Sequence, residues 1–172
     1  MDQDTVLRLL VLIRHAKAVG TSPTGDIGRS LSEKGRRSAE RVGGWLLDQG
    51  VRPDVVILSP SARTLQTWDG IRAAGLSGGR VVTDDSVYEA DPEDLLATIR
   101  EVSDEVGVLV VLGHAPGIPD LAARLQDHTS LDDAQQVLLG RWPPAAVGVV
   151  SHRGSWAQFP LPDTSLALFH AP

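Results

Sequence analysis

The chain contains no cysteine. That absence excludes a disulfide framework, a thiolate nucleophile and any zinc site built on sulfur, and it fits a reducing compartment. No basic cluster opens the sequence: Met1 to Thr5 carries two aspartates, and the apolar run that follows is interrupted by Arg8 and too short for a signal peptide or a membrane span. Neither export nor membrane insertion is expected, and the expected location is cytoplasmic. Positive charge is not in surplus. A formal net charge of −6 speaks against a nucleic-acid surface, which neutralises phosphates with clustered Lys and Arg. No internal repeat, low-complexity tract or long linker divides the 172 residues, so residues 1–172 are expected to form one domain able to bury a substantial core.

What is present is a series of apolar runs separated by amphipathic segments. Val6 to Ile13 reads VLRLLVLI, the pattern of a strand covered on both faces, as in a parallel sheet. Ser32 to Gln49 carries Ala39, Val42, Leu46 and Leu47 at helical spacing, with Ser32 as N-cap and Gly50 as stop. Val55 to Leu58 is a second buried strand, Ala62 to Ala74 a helix with Gly75 beyond it, and Val81 to Thr83 a short strand. Asp91-Pro92 reads as an N-cap followed by proline at the first helical position, ahead of the stripe Leu95, Leu96, Ile99 and Val102. Val108 to Leu112 is the third strong strand, followed by a helix over Pro119 to Leu125. In the C-terminal third, Ala145 to Ser151, Trp156 to Phe159 and Ser165 to His170 read as shorter strands, some antiparallel. Trp142 and Trp156 are expected to pack the core. The alternation predicts an α/β fold: a three-layer α/β/α sandwich whose central sheet is mostly parallel, with at least one antiparallel strand.

In such sheets ligands bind beyond the carboxyl ends of the strands. That rule selects Arg14-His15 after the first strand, Ser59 to Arg63 after the second, and His114 after the third strong one. Chemically the set suits a phosphoryl group. A neutral imidazole is a good nucleophile toward phosphorus, and guanidinium forks bind phosphate oxygens in bidentate fashion. A second imidazole, once protonated, adds a donor to the equatorial oxygens in the transition state. A structural reading of each residue stands beside this one: a lone histidine after a strand, or one in a Gly-His-Ala-Pro-Gly turn, can serve only to satisfy backbone groups. The agreement of three strand ends favours the functional reading.

At these positions the chain resembles the histidine phosphatase superfamily, also called phosphoglycerate mutase-like. Leu12-Ile13-Arg14-His15-Ala16 resembles its Arg-His-Gly signature, with Ala16 in place of the glycine. Ser59-Pro60-Ser61-Ala62-Arg63-Thr64-Leu65-Gln66-Thr67 is similar to its Ser-Pro-x-x-Arg-x-x-Gln-Thr segment, and Gly113-His114-Ala115-Pro116-Gly117 to its second-histidine motif. Together the three motifs cover about Leu7 to Leu125. Within the superfamily the small size and the segment Arg29-Ser30-Leu31-Ser32-Glu33-Lys34-Gly35 resemble the SixA-type phosphohistidine phosphatases. The resemblance implies a metal-independent hydrolase in which His15 is phosphorylated, Arg14, Arg63 and His114 form the phosphate pocket, and Arg29 lines its mouth. It implies no cofactor.

Larger relatives place a carboxylic acid after the third strand to protonate the leaving oxygen. Glu89, in Tyr88-Glu89-Ala90-Asp91, is the leading candidate here. The other reading is that Glu89 and Asp91 only start and cap the next helix. Asp26, on the Gly20 to Gly28 loop, is a weaker alternative for the same proton donor. A phosphorylated imidazole depends less on such a donor than an alkoxide does, so a weak or missing acid favours phosphohistidine or another activated phosphoryl compound. The short loops lean toward a pocket open to phosphohistidine in a protein, with a small phosphorylated metabolite as the alternative. A non-catalytic module that only binds phosphorylated ligands is the reading from a different class. A metal site is disfavoured because His128, His152 and His170 form no ligand-spaced pair and arginines beside His15 and His114 repel cations.

Overall fold

The computed structural model describes residues 6–125 and 140–172, with residue 132 between them. The leading apolar run forms β1 (Leu7–Arg14), and the second and third strong runs form β2 (Val55–Leu58) and β4 (Val108–Gly113), with β3 at Arg80–Thr83. Two further strands, β5 (Val147–Arg153) and β6 (Ser165–His170), complete a sheet of order β3-β2-β4-β1-β5-β6. The β2–β3, β2–β4 and β1–β4 pairs are parallel; β5 is antiparallel to both β1 and β6. β5 therefore runs against the other strands of this sheet, in line with the mostly parallel arrangement expected.

Successive residues of a strand face opposite sides, and here both sides are apolar. Leu10, Leu12, Leu109 and Val111 join one buried cluster, while Val11, Ile13, Val110 and Leu112 join the other. Helix α1 (Glu33–Asp48) lays Ala39, Val42 and Leu46 on the second cluster, beside Trp68 and Ile71 of α2 (Ala62–Ala73). Helices α3 (Pro92–Arg100) and α4 (Gly117–Arg124) cover the first with Leu95, Leu96, Ile99, Ile118 and Leu121. The result is three layers. Each fully buried Leu or Ile stabilises the fold by about 1.5–3 kcal/mol relative to exposure.

Local signals explain most boundaries. Ser32 caps α1 by accepting from Gly35 N at 3.1 Å, and Ser61 caps α2 by accepting from Thr64 N at 3.4 Å. Asp91 caps α3 in a reciprocal pair with Asp94, with Pro92 at the first position, and Val102 packs on the core just past the helix end. Two expectations change. Helix α4 begins at Gly117 rather than Pro119, directly behind the His114 turn. The segment expected as a strand at Trp156 to Phe159 is a single 3-10 turn over Trp156–Gln158. Ser155 accepts from Ala157 N there, and Trp156 and Phe159, three apart, bury together against His152 as a turn allows and a strand does not. Trp142 and Trp156 are both fully buried in the first cluster, as expected. Among the described residues no helix is long and apolar enough to cross a membrane.

Candidate active site

β1 and β4 are parallel neighbours in the register Arg14↔Gly113, so the residues that follow them emerge side by side. The chain leaving β1 turns toward α1 on one face, and the chain leaving β4 turns toward α4 on the other. The crevice between them is the switch point at which such sheets bind ligands. His15 and His114 stand in it with ring centroids 5.2 Å apart. Their backbone is fixed from both sides: His15 N donates to Gly113 O (2.9 Å) and Arg14 N to Ala146 O (3.1 Å).

The two imidazoles are held in definite tautomers. His15 Nδ1 lies 2.7 Å from the Ala16 carbonyl, which only accepts, so Nδ1 carries the proton and Nε2 keeps its lone pair. That Nε2 accepts from Arg63 Nε at 3.3 Å. Burial, reinforced by the charges of Arg63 and Arg14 and opposed by the Ala16 bond, pushes the His15 pKa down to about 4. In His114 the roles reverse. Nδ1 lies 3.3 Å from Arg63 Nη2, which only donates, so the proton sits on Nε2 and points to Ser59 Oγ at 2.7 Å. Burial first, then the charge of neighbouring His15 and Arg63, takes its pKa down to about 3.

Arg63, on the first turn of α2 and nearly buried, links the rings to the loop after β1. It donates from Nη1 to the Asp26 carbonyl (2.7 Å) and from Nη2 to Asp26 Oδ2 (2.9 Å). The Asp26 carboxylate also accepts from Arg29 Nη1 (2.9 Å) and Tyr88 Oη (2.7 Å). The Tyr88 bond, then those from Arg29 and Arg63, hold its pKa well below the ordinary carboxylate range. Asp26 is therefore an ionised acceptor and does not store a proton for a leaving group. Arg14 donates from Nη1 to the Trp142 carbonyl at 2.7 Å. A cavity of about 360 Å³ is lined by Arg14, His15, Arg29, Arg63, Glu89 and His114 together with Asp26. Glu89 reaches it from an exposed loop position with a left-handed backbone, φ 55°, while Asp91 is occupied as the α3 cap. All six candidate side chains thus border one cavity, whose charged walls carry three guanidinium groups.

The remaining histidines lie elsewhere. His152 is buried with Nδ1 2.8 Å from Thr164 Oγ1, His170 stacks on Trp45 at 4.8 Å, and His128 falls outside the described residues. Among the described residues no three His, Asp or Glu side chains gather as a metal-ligand set.

Several supporting groups carried no individual role in the sequence reading. Thr67 Oγ1 accepts from Ala16 N (3.0 Å) and donates to Arg63 O (2.6 Å), so one hydroxyl ties the segment that follows His15 to α2. Gln66 Oε1 accepts from Leu31 N at 2.8 Å. Gly35 sits so close to Lys17 that a Cβ would fall 2.1 Å from its carbonyl oxygen. The signal for Thr67 was available: four residues after Arg63, it lies on the same face of the helix. Tyr88, the single tyrosine of the chain, packs edge-on to His114 at 5.4 Å as well as bonding Asp26.

Residues 10–108 match the histidine phosphatase superfamily (branch 1). The chain belongs to that superfamily. An uncharacterised protein of Mycobacterium leprae is 30% identical over 93% of this chain and 99% of its own. Among solved structures, a Nakamurella multipartitia protein assigned as the phosphohistidine phosphatase SixA superposes with a TM-score of 0.78 at 31% identity, covering 96% of each chain. A SixA of the same assignment from Agrobacterium tumefaciens gives 0.77 at 27% identity over 96% of this chain and 99% of that one. The superfamily match takes in Arg14, His15 and Arg63 and stops short of His114, so it leaves out one wall of the cavity that the fold brings together.

Proposed function

We propose that this protein is a metal-independent phosphatase that removes the phosphoryl group from phosphohistidine in a protein, through a phosphohistidine of its own at His15. The observation that carries the reading is the His15 Nε2 lone pair, kept unprotonated by the Nδ1–Ala16 bond and engaged by a long 3.3 Å bond from Arg63 Nε. Nε2 attacks phosphorus, and the bond from phosphorus to the substrate imidazole nitrogen breaks as that nitrogen takes a proton. Arg14, Arg63 and His114 receive the equatorial oxygens, His114 after gaining a proton at Nδ1 beside the bound anion. Water then attacks the phosphorus on His15, releasing inorganic phosphate and returning the electron pair to Nε2.

Three further points support this reading. Guanidinium groups around the imidazoles favour an anion and repel a metal cation. Glu89 stands at the rim, within the cavity wall, where it can protonate a leaving group without being required by one as labile as imidazole. The two solved relatives above are assigned as phosphohistidine phosphatases. On the same reading residues 1–172 act as one domain in the cytoplasm, with phosphorylated proteins as partners and neither nucleic acid nor membrane involved.

The test is incubation with a phosphohistidine peptide and with acetyl phosphate, trapping the phosphoenzyme at alkaline pH. Wild type gives an acid-labile, alkali-stable phosphoprotein and releases phosphate; His15→Ala gives neither. Turnover unaffected by the substitution, or binding without turnover in wild type, overturns the reading.

A further inference from the structure

Every N–H of Arg63 that meets a described partner belongs to one of two edges. The inner edge, Nε and one hydrogen of Nη2, faces His15 Nε2 and His114 Nδ1, both at 3.3 Å. The outer edge, Nη1 and the other Nη2 hydrogen, is taken by the carbonyl and carboxylate of Asp26 at 2.7 and 2.9 Å. The inner contacts are long and the outer ones short. An arriving phosphoryl group can therefore displace the first pair while the second stays in place.

The Asp26 loop does not need Arg63 to hold its own shape. Within it, Arg29 donates from Nη1 to Asp26 Oδ1 (2.9 Å) and from Nε to Val19 O (2.8 Å). Tyr88 ties the same carboxylate to the loop before α3 at 2.7 Å. The Asp26 side chain is 47% exposed and that of Arg63 6%, so a carboxylate at the rim grips a guanidinium that is buried. Its negative charge also lies against a cavity lined by Arg14, Arg29 and Arg63.

Resting on the phosphatase reading above, we propose that Asp26 is the positioning residue of the phosphoryl pocket. It clamps the outer edge of Arg63 so that the inner edge faces the gap between His15 and His114, and its charge keeps the pocket from retaining inorganic phosphate. Geometry and charge act in opposite directions on anion binding, and that opposition separates this role from simple support of the loop.

The experiment compares wild type, Asp26→Asn, Asp26→Ala and Tyr88→Phe by steady-state kinetics on acetyl phosphate and by calorimetric titration with orthophosphate. Asp26→Asn keeps an acceptor for Arg63 and removes the charge. Orthophosphate then binds about tenfold more tightly, the size of one partly screened charge pair, while kcat falls because product leaves more slowly. Asp26→Ala removes the acceptor as well and lowers kcat/KM about a hundredfold. Tyr88→Phe lies between wild type and Asp26→Ala. Weaker or unchanged orthophosphate binding in Asp26→Asn, or an unchanged kcat/KM in Asp26→Ala, overturns the proposal; thermal melting within a few degrees of wild type verifies that each variant folds. If wild type forms no phosphoenzyme yet Asp26→Asn still tightens orthophosphate binding, the phosphatase reading falls and the charge role of Asp26 stands.

Discussion

Ser59 Oγ lies 2.7 Å from Nε2 of His114, and this contact decides which edge of the imidazole the cavity meets. With the Nε2 proton directed at the serine, Nδ1 is turned toward Arg63 in the cavity wall. Ser59 closes the link from β2 to β4 at the strand ends, where its own N–H donates to Leu112 O at 3.2 Å.

Replacing Ser59 with alanine removes the group that fixes the ring. The backbone bond remains, so the fold is retained, but His114 gains a second orientation. We expect kcat/KM on acetyl phosphate to fall roughly tenfold, the kinetic equivalent of about 1.4 kcal/mol. His114→Ala should lose at least a further tenfold. Equal activity of Ser59→Ala and wild type would show that the hydroxyl does not orient the ring.

The two depressed imidazole pKa values make stability depend on pH in a stated direction. An exposed imidazole titrates near 6.5, whereas His15 and His114 titrate near 4 and 3 in the folded chain, chiefly because burial disfavours the charged ring. Between those values the unfolded chain binds more protons than the folded one. The stabilisation is therefore complete above about pH 6.5 and is lost as pH falls through 4 toward 3. The Tm should drop steadily from pH 7 to pH 4, and the double variant His15→Asn/His114→Asn should drop less over the same range. Equal slopes in a calorimetric series would contradict this.

Glu89 gives a substrate-dependent prediction. Glu89→Gln should slow hydrolysis of an alkyl phosphate at least tenfold, because an alkoxide leaves poorly without a proton. It should leave hydrolysis of a phosphohistidine peptide within about threefold, because imidazole is the better leaving group. Parallel losses on both substrates would assign Glu89 a role in binding rather than in proton donation.

Gly117 begins α4 where that helix passes the loop carrying Glu89. A Cβ built there would sit 2.0 Å from the Ala90 carbonyl oxygen, and a backbone carbonyl cannot swing aside as a side chain can. Gly117→Ala should cost about 1–3 kcal/mol in urea unfolding. Because the strain bears on the Ala90 loop, it should also lower activity in molecules that remain folded. A variant as stable as wild type would mean that the loop yields without cost.

The sheet and its helices were legible because their signals are local. VLRLLVLI and VLVVL are apolar on every residue but one, and Ser32, Ser61 and Asp91 supply caps where the helices start. The strand-end rule then located Arg14, His15, Arg63 and His114 without reference to side-chain geometry. What escaped was contact at long range. Asp26 reads as one acidic residue in a glycine-rich loop, and nothing near it in sequence indicates that Arg63, 37 positions on, will be its partner. The turn at Trp156–Gln158 was missed because a short apolar segment between glycine and proline fits a strand and a 3-10 turn equally well until its burial partners are known.

The bond from Arg14 to the carbonyl of Trp142 spans 128 positions. A growing polypeptide has already placed Arg14, His15, Arg63 and His114 in the chain while the ribosome has yet to reach that carbonyl and the strand that flanks β1 on its open side. Up to that point the nascent chain holds all six candidate side chains that border the cavity and lacks the carbonyl to which Arg14 donates. The order of translation thus leaves the Arg14 guanidinium without this carbonyl partner until residue 142 has been made.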